Sequence, residues 1–350
     1  MDLNTILNEA VRRDASDVFI IAGLPVTYKV KGTQCREEGF LKPADIAPIV
    51  EEIYAVSGRN RANYEAGQDD DFSFSIPSLG RFRVNVFRQR GSVAAVIRVI
   101  RFGIPDPAKL GIPETVLSLA DNKTGLVLIT GAAGSGKSTT LACMIDRINR
   151  NRECHIITME DPIEHLHAHN RSIVSQREVY IDTPGYLESL RSALRESPDV
   201  ILMGEMRDYD TISAAITAAE TGVLLFSTLH TSSAASTVNR IVDVFPANQQ
   251  TQVRRQLAQL LRGIVCQQLV PGKDGALIPV FEIMKNTPAI ANKIREGDTH
   301  QIDSLIQSAS AQGMITMDAG LMELYRQGRI EKETVLAACN NYDTVSLRLR

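Results

Sequence analysis

The chain has 350 residues, roughly twice a typical single domain, so its length predicts two domains. Hydrophobic residues make up 44% of the sequence and charged residues 23%, which is typical of a soluble globular protein and allows a large core. The net charge of −3 provides no global positive field for nucleic acid, so no nucleic-acid partner is expected.

The cysteines and the apolar runs indicate the cellular compartment of the protein. The five cysteines are scattered without C-x-x-C spacing, which predicts free thiols in a reducing compartment and no structural zinc site. Early acidic residues and the lack of a continuous apolar run at the N-terminus argue against a signal peptide. No apolar run reaches about 18 residues, so we expect a cytoplasmic protein without a membrane span.

The N-terminal part of the chain has the pattern of a small α+β domain. Helical spacing of apolar residues predicts helices over residues 2–13 and 43–54. Short β-type runs predict five strands, over residues 18–21, 26–30, 71–76, 82–87 and 94–100. We place this domain at residues 1–101 and a linker at 102–112, because two prolines and a glycine over 102–107 interrupt helix and strand.

From residue 123 onward, strand and helix patterns alternate, which predicts a parallel sheet with helices on both faces. Runs of strand type cover residues 126–130, 155–159, 172–175, 200–203 and 223–228. Helical patterns cover residues 137–148, 186–195, 209–221, 233–243 and 247–267. A hairpin over 268–270 and 276–284 follows, and the last residues are predicted to be helical. We therefore predict an α/β domain over residues 113–350 with a helical C-terminal part.

One glycine-rich motif follows the first of these strands. The pattern G-x-x-x-x-G-K-[ST] is matched in full by Gly131, Ala132, Ala133, Gly134, Ser135, Gly136, Lys137 and Ser138. Glycines there let backbone N–H groups point at phosphate oxygens, next to the positive end of a helix. Lys137 is expected to reach the β- and γ-phosphates of ATP, and the Ser138 hydroxyl to ligate Mg²⁺. The strand before and the helix after argue against a chance glycine-rich turn.

A carboxylate follows the strand predicted over residues 200–203. Glu205 stands at the C-terminal end of that strand, where ligands bind in parallel sheets. The more usual pattern has Asp where Gly204 stands, so we expect Glu205 to hold Mg²⁺ through water rather than directly. The alternative is a strand that merely ends in a solvated acid.

Three more carboxylates, Glu160, Asp161 and Glu164, follow the strand predicted over residues 155–159. Hydrolysis needs one carboxylate to orient or deprotonate the attacking water. We assign this role to Glu164, with Glu160 as the next candidate. The alternative is a polar turn between strand and helix.

Four polar residues on other strands are candidates to complete the site. His230 follows the strand over 223–228, where it could sense the γ-phosphate or be a structural histidine. Arg81 and Arg83 alternate on one strand face, and Arg98 lies on another strand of the first domain. Phosphoryl-transfer sites often gain an arginine from another domain or subunit, and the alternative is a solvated strand face.

Three alternating histidines, His165, His167 and His169, have the spacing of metal ligands on one strand. No cysteine joins them, and histidines in a polar loop need no metal. We therefore favour the interpretation without a metal.

Together these motifs resemble those of the secretion-type ATPases that drive type IV pili, and within them the PilT-type retraction group, over nearly the whole chain. The matching segments are residues 15–17 and 23–25 (its PAS-like domain), 80–85 (its arginine strand), 131–139 (its Walker A, which adds Thr139 to the nucleotide site), 160–164 (its Asp box), 204–208 (its Walker B), 228–231 (its His box) and 240–246 (the segment after it). The resemblance implies a PAS-like domain followed by a RecA-like P-loop ATPase domain with a mainly parallel sheet.

The resemblance also implies roles for residues and partners. It implies that Glu164 is the catalytic base, that Glu205 is the Walker B glutamate, and that Arg81, Arg83 and Arg98 approach the phosphates. Members of the family are similar in forming homohexameric rings with the nucleotide between the two domains. ATP and Mg²⁺ would drive pilin depolymerisation, and the partners would be an inner-membrane platform protein and a paralogous pilus ATPase. The chain would then be peripheral at the inner face of the cytoplasmic membrane.

This sequence departs from the family pattern at two places. The family has His after Ser-Asp-Leu, where this chain has Phe19 after Val18, and the retraction group has an arginine where Ala291 stands. Extension ATPases are longer and carry a four-cysteine zinc site, which this sequence lacks, so retraction is favoured. The alternatives are a secretion or conjugation ATPase with the same catalytic machinery, and a regulatory nucleotide-binding module with little turnover.

Overall fold

The computed structural model describes residues 2–65, 67–100 and 103–349. It divides into two units, residues 1–103 with Glu164–Leu166, and residues 104–163 with 167–350. Residues 101 and 102, where the predicted linker begins, lie outside the described residues. The predicted domain limits therefore remain a prediction.

The first unit contains an antiparallel sheet of six strands in the order β3-β2-β1-β6-β5-β4. Its strands are β1 Ala15–Ile20, β2 Thr27–Val30, β3 Thr33–Arg36, β4 Asp70–Ile76, β5 Gly80–Gln89 and β6 Ser92–Ile100. Its helices are α1 Leu3–Arg12, α2 Pro43–Ser57 and α3 Ala62–Glu65. The predicted succession of strands with few helices is confirmed.

Burial alternates along the strands of this first sheet. On β5, Phe82, Val84 and Val86 are buried in a core shared with α1 and α2, whereas Arg81 and Arg83 are only half-buried. This period of two is the pattern of a sheet that covers a core with one face only. The sequence analysis missed strand β3, because its residues are mostly exposed and polar and show no alternation.

The second unit contains a sheet of seven strands in the order β13-β12-β7-β11-β10-β8-β9. Its strands are β7 Gly125–Thr130, β8 His155–Glu160, β9 Ile173–Glu178, β10 Val200–Met203, β11 Leu224–Leu229, β12 Leu261–Pro271 and β13 Leu277–Lys285. All neighbouring strands are parallel except β12 and β13, which form a hairpin. The predicted α/β class with a mainly parallel sheet is confirmed.

Helices cover both faces of this second sheet. They are α4 Glu114–Leu117, α5 Lys137–Asn151, α6 Tyr186–Ala193, α7 Tyr209–Glu220, α8 Ala234–Asp243, α9 Ala247–Leu260, α10 Pro288–Glu296, α11 Ile302–Ser308, α12 Met317–Arg326, α13 Lys332–Ala338 and α14 Tyr342–Arg348, with 3-10 turns at Ser118–Asp121, Thr299–Gln301 and Ser310–Gln312. On β7, Val127 and Ile129 pack in the core with α5, whereas Leu126 and Leu128 pack in the opposite core with α6 to α9. None of the described helices is both long and apolar enough to cross a membrane.

The predicted helix over residues 247–267 is wrong from residue 261 onward. Helix α9 ends at Leu260, and the chain continues as β12, which lies parallel to β7. The run around Val265 is buried and too short for its periodicity to separate a strand from a buried helix. A Cβ on Gly263 would lie 2.9 Å from the backbone oxygen of Met284 on β13, so glycine permits the close pairing of these two strands. As a result, the residues that follow Val265 reach the glycine-rich loop.

Candidate functional site

The glycine-rich loop joins the C-terminal end of β7 to the N-terminus of α5. Gly131, Gly134 and Gly136 have φ angles of 144°, 76° and 87°, which are accessible mainly to glycine. A Cβ on Gly131 would lie 2.2 Å from the backbone oxygen of Gln267, so the loop also lies tightly against β12. The 15-residue helix α5 begins immediately after Gly136. Glycines with positive φ directly before a helix N-terminus are typical of loops whose backbone N–H groups bind an anion.

Two polar side chains of the loop differ in their hydrogen bonding. The Lys137 ammonium donates hydrogen bonds to the carbonyl oxygens of Gly131 and Ala132, both at 2.8 Å. The Ser135 hydroxyl is buried and has no hydrogen-bond partner within the described parts of the chain. A buried polar atom without a partner is costly, so this hydroxyl fits a loop that binds a polar ligand.

A cavity of about 310 Å³ opens beside the loop. Its walls are loop residues 131–135, residues 230–232, residues 266–269 and Met317. The cavity therefore lies at the C-terminal ends of β7 and β11, the edge at which parallel sheets bind their ligands.

Glu205 and His230, both predicted from the sequence, lie together. The parallel neighbours β10 and β11 end just before them. One Glu205 oxygen pairs with Arg207 at 2.6 Å, and the other lies 3.6 Å from Nε2 of His230. The Glu205 side chain is only 14% exposed and the His230 side chain is 52% exposed, so the carboxylate is largely buried and the imidazole is accessible to solvent.

Gly204 shows why the carboxylate stands one residue later than in the more usual pattern. A Cβ on Gly204 would lie 2.6 Å from the hydroxyl oxygen of Tyr186 and 3.2 Å from the backbone oxygen of Met159. An aspartate would therefore clash with the tyrosine. Burial raises the pKa of Tyr186, and the negative charges of Glu205, Asp161 and Glu160 raise it further. Tyr186, at the start of α6, was not identified from the sequence because no motif includes it.

The two candidate bases have different surroundings. Glu160 accepts hydrogen bonds from the hydroxyl of Thr158 at 2.7 Å and from Nε2 of Gln176 at 3.3 Å. Glu164 is exposed and belongs to the segment Glu164–Leu166 that groups with the first unit. Of the two, Glu164 has the more solvated carboxylate, and its role as the base stays a prediction.

The three alternating histidines take part in the local structure. The backbone N–H of His167 donates to Oε1 of Gln176 at 2.8 Å, and Nδ1 of His169 accepts from the backbone of Val174 at 3.1 Å. Burial lowers the pKa of His165. Over the described ranges of the chain, no three His, Cys, Asp or Glu side chains are grouped to hold a metal ion.

The three candidate arginines lie on one face of the first sheet. Arg83 on β5 lies directly opposite Arg98 on β6, and Arg81 lies two residues from Arg83 on the same face. Arg83 binds the carboxylate of Asp71 with two hydrogen bonds, at 3.0 and 2.5 Å. Arg98 donates to Asp17 at 3.2 Å and is 69% exposed. These arginines form a polar face and not part of a core.

Glu282 is a further residue that the sequence analysis missed. It lies on β13, is 1% exposed, and its two oxygens accept from the backbone N–H groups of Ala234, at 2.7 Å, and Met317, at 3.2 Å. These donors are the first residues of α8 and α12, so one carboxylate joins two helix N-termini. Burial raises the pKa of Glu282. A lone acid in an apolar strand was the only signal for it in the sequence.

Comparison with known proteins gives one consistent family. The sequence profile of the type II/IV secretion system protein family matches residues 1–341. The type IV pilus retraction ATPase PilT of Pseudomonas aeruginosa is 44% identical over 95% of this chain and 96% of its own length. The type IV pilus ATPase PilU of the same organism is 39% identical over 100% and 92%. A crystal structure of the pilus retraction motor PilT with bound ADP is similar with a TM-score of 0.89, 44% identity and 99% coverage of both chains.

Proposed function

The chain belongs to the type II/IV secretion system protein family, and from this premise we propose that it is a hexameric motor ATPase that retracts type IV pili. The observation that carries the proposal is the glycine-rich loop with Glu205 and His230 at the ends of neighbouring parallel strands. The similarity to a retraction ATPase over nearly the full length of both chains supports the type IV pilus as the structure on which the motor acts. The ADP in the similar crystal structure supports an adenine nucleotide as the ligand.

Residues 131–139 would hold the phosphates of ATP. The positive-φ glycines, the unpartnered Ser135 hydroxyl and the N-terminus of α5 fit a polyphosphate chain. The Lys137 ammonium would exchange its bonds to the loop carbonyls for phosphate oxygens. The hydroxyl of Ser138, and Glu205 through water, would hold Mg²⁺, which when bound neutralises phosphate charge.

Other residues would act on the attacking water and on the phosphates. Glu164 would orient or deprotonate the water, with Glu160 as the second candidate. His230 lies 3.6 Å from Glu205, so a movement of one side chain would displace the other. Such coupling suits a sensor of the γ-phosphate. The first-unit arginines Arg81, Arg83 and Arg98 would supply positive charge to the phosphates.

The partners follow from the same proposal. We infer a homohexameric ring that works on an inner-membrane platform protein at the cytoplasmic face of the membrane. The existence of PilU as a relative of similar length supports a paralogous ATPase as a further partner. Each hydrolysis event would move one domain against the other and so withdraw pilin.

Two substitutions test this proposal. We expect Lys137→Ala and Glu164→Ala each to abolish ATP hydrolysis in a steady-state assay, because one removes the phosphate ligand and the other the base. Lys123→Ala, an exposed lysine of the same unit, is the matched control and should keep full activity. Cells that carry either inactive variant should be hyperpiliated and unable to move by twitching. Loss of surface pili instead would contradict retraction, and full hydrolysis by the Lys137→Ala protein would contradict the site.

A secretion or conjugation ATPase is the second candidate, since the family profile covers secretion proteins and Ala291 departs from the retraction motif. Ala291 lies on α10, partly buried against the core. A deletion strain scored for both piliation and protein secretion separates the two candidates. A regulatory module is a third, and it predicts almost no steady-state hydrolysis.

A further inference from the structure

Gln267 is a buried amide beside the glycine-rich loop that no nucleotide-binding motif includes. It lies on β12 directly after Cys266, which pairs with Thr130 of β7, so Gln267 is level with the start of the loop. It is 3% exposed and still lines the 310 Å³ cavity. A polar side chain buried at such a place needs partners for its oxygen and its nitrogen.

The backbone of Gln267 forms one wall of the loop. Its carbonyl oxygen lies 2.2 Å from the position that a Cβ on Gly131 would occupy. Real Cβ atoms do not approach an oxygen this closely, so β12 requires glycine at the first loop position. The conformation at the start of the loop is therefore set by the strand that carries Gln267.

The side chain of Gln267 reaches the other end of the loop. Its Oε1 accepts a hydrogen bond from the Thr140 hydroxyl of α5 at 2.8 Å, and Thr140 is fully buried. Its Nε2 lies 2.9 Å from the position of a Cβ on Gly136. Because the oxygen is held by the helix, the two N–H donors are on the side of the amide that faces Gly136.

We propose that Gln267 is a positioning residue of the phosphate site, which holds the loop between Gly131 and Gly136 and keeps an amide donor toward it. This inference rests on the proposed nucleotide site. An amide is suited to the place because it accepts from Thr140 with one end and offers N–H groups to an anion site with the other. A carboxylate of the same shape would keep the first interaction and bring negative charge to the loop.

The test uses the full-length protein and measures the affinity of Mg·ATP and Mg·ADP by calorimetry, with thermal unfolding of the ligand-free protein alongside. We expect Gln267→Glu to weaken Mg·ATP binding by roughly tenfold or more, because like charges repel near the phosphates. The loss should be smaller for Mg·ADP and should shrink at high salt. A residue that only stabilises the core would lower the unfolding temperature without this dependence on phosphate charge and salt.

Three further variants complete the experiment. Gln267→Met keeps the size of the side chain without its N–H donors and should weaken the binding of both nucleotides by about three- to tenfold. This variant tests the positioning role if Gln267→Glu does not fold. Thr140→Val removes the donor that orients the amide and should give a smaller loss. Gln312→Glu makes the same charge change at an exposed position and should bind as the wild type does.

The outcomes separate this inference from the proposed function. If the wild-type protein binds no nucleotide, the proposed function fails. If it binds nucleotide and the Gln267→Glu and Gln267→Met proteins bind within about twofold of it, the positioning role is overturned. For Gln267→Glu, a loss that is equal for ATP and ADP and insensitive to salt would also overturn it.

Discussion

The two sheets of this protein differ in where their polar candidate residues lie: at strand ends in one sheet and along a sheet face in the other. In the parallel sheet, β7 and β11 are buried at all six of their positions, so no side chain from the middle of these strands can meet a ligand. The glycine-rich loop, Glu205 and His230 all follow strand ends instead. In the antiparallel sheet, one face is free of the core and carries Arg81, Arg83 and Arg98 along the strands. The burial pattern of a sheet thus determines whether function lies at its edge or on its face.

The largest expected effect is at the edge of the parallel sheet. We expect Glu205→Gln to lower kcat by about 10²–10⁴-fold, because the amide cannot hold Mg²⁺-bound water as a carboxylate does. Steady-state ATPase kinetics measures this, and Glu333→Gln, an exposed residue of α13, is the control. An unchanged kcat would mean that the strand merely ends in an acid.

The face of the antiparallel sheet should separate activity from stability. We expect Arg83→Ala to change the free energy of unfolding by less than about 1 kcal/mol, because both members of its ion pair with Asp71 are partly exposed. Arg98→Ala is compared by kcat only, because its partner Asp17 is buried. If these arginines approach the phosphates, kcat should fall roughly tenfold or more. Arg36→Ala, on the exposed strand β3 of the same sheet, should affect neither quantity. Arginine variants with wild-type kcat would leave this face as a solvated surface.

For the buried carboxylate of the second unit, the expected effect is on stability. Glu282→Ala should lower the free energy of unfolding by about 2–4 kcal/mol, because two buried N–H groups at helix N-termini lose their acceptor. Urea unfolding at neutral pH measures it. A loss below about 1 kcal/mol would show that these helix ends find other partners.

The contribution of Glu282 to the free energy of unfolding should also depend on pH. Because burial raises the pKa of Glu282 in the folded state above the ordinary 4.5, the folded protein binds the proton more tightly than the unfolded chain does. Its stabilising contribution is therefore complete below pH 4.5 and declines as the pH rises from 4.5 through the raised pKa. Glu282→Gln cannot ionise, so the stability of the wild type relative to this variant should fall over that range. A difference that is flat with pH would contradict the raised pKa.

The residues of the site differ in how far they could be predicted. The loop, Glu205 and His230 follow apolar runs whose strand character is local, so the sequence places them at strand ends, and the structure brings Glu205 and His230 together. Tyr186 could not be predicted, because its proximity to Gly204 depends on how α6 packs on the sheet. The first seven residues of β12, 261–267, were predicted to be helical, because their apolar run has no period of its own.

By itself, the sequence determined the local features of this protein: the alternation of strand and helix, the glycine-rich loop after β7, and the carboxylates after β8 and β10. Those features depend on neighbours in the chain, through periodicity and through the backbone freedom of glycine. Only the tertiary structure decided which distant residues complete them. Gln267 meets Thr140 across 127 residues of sequence, and Glu282 joins the ends of two helices. Such contacts follow from strand order and helix packing, which no short stretch of sequence encodes.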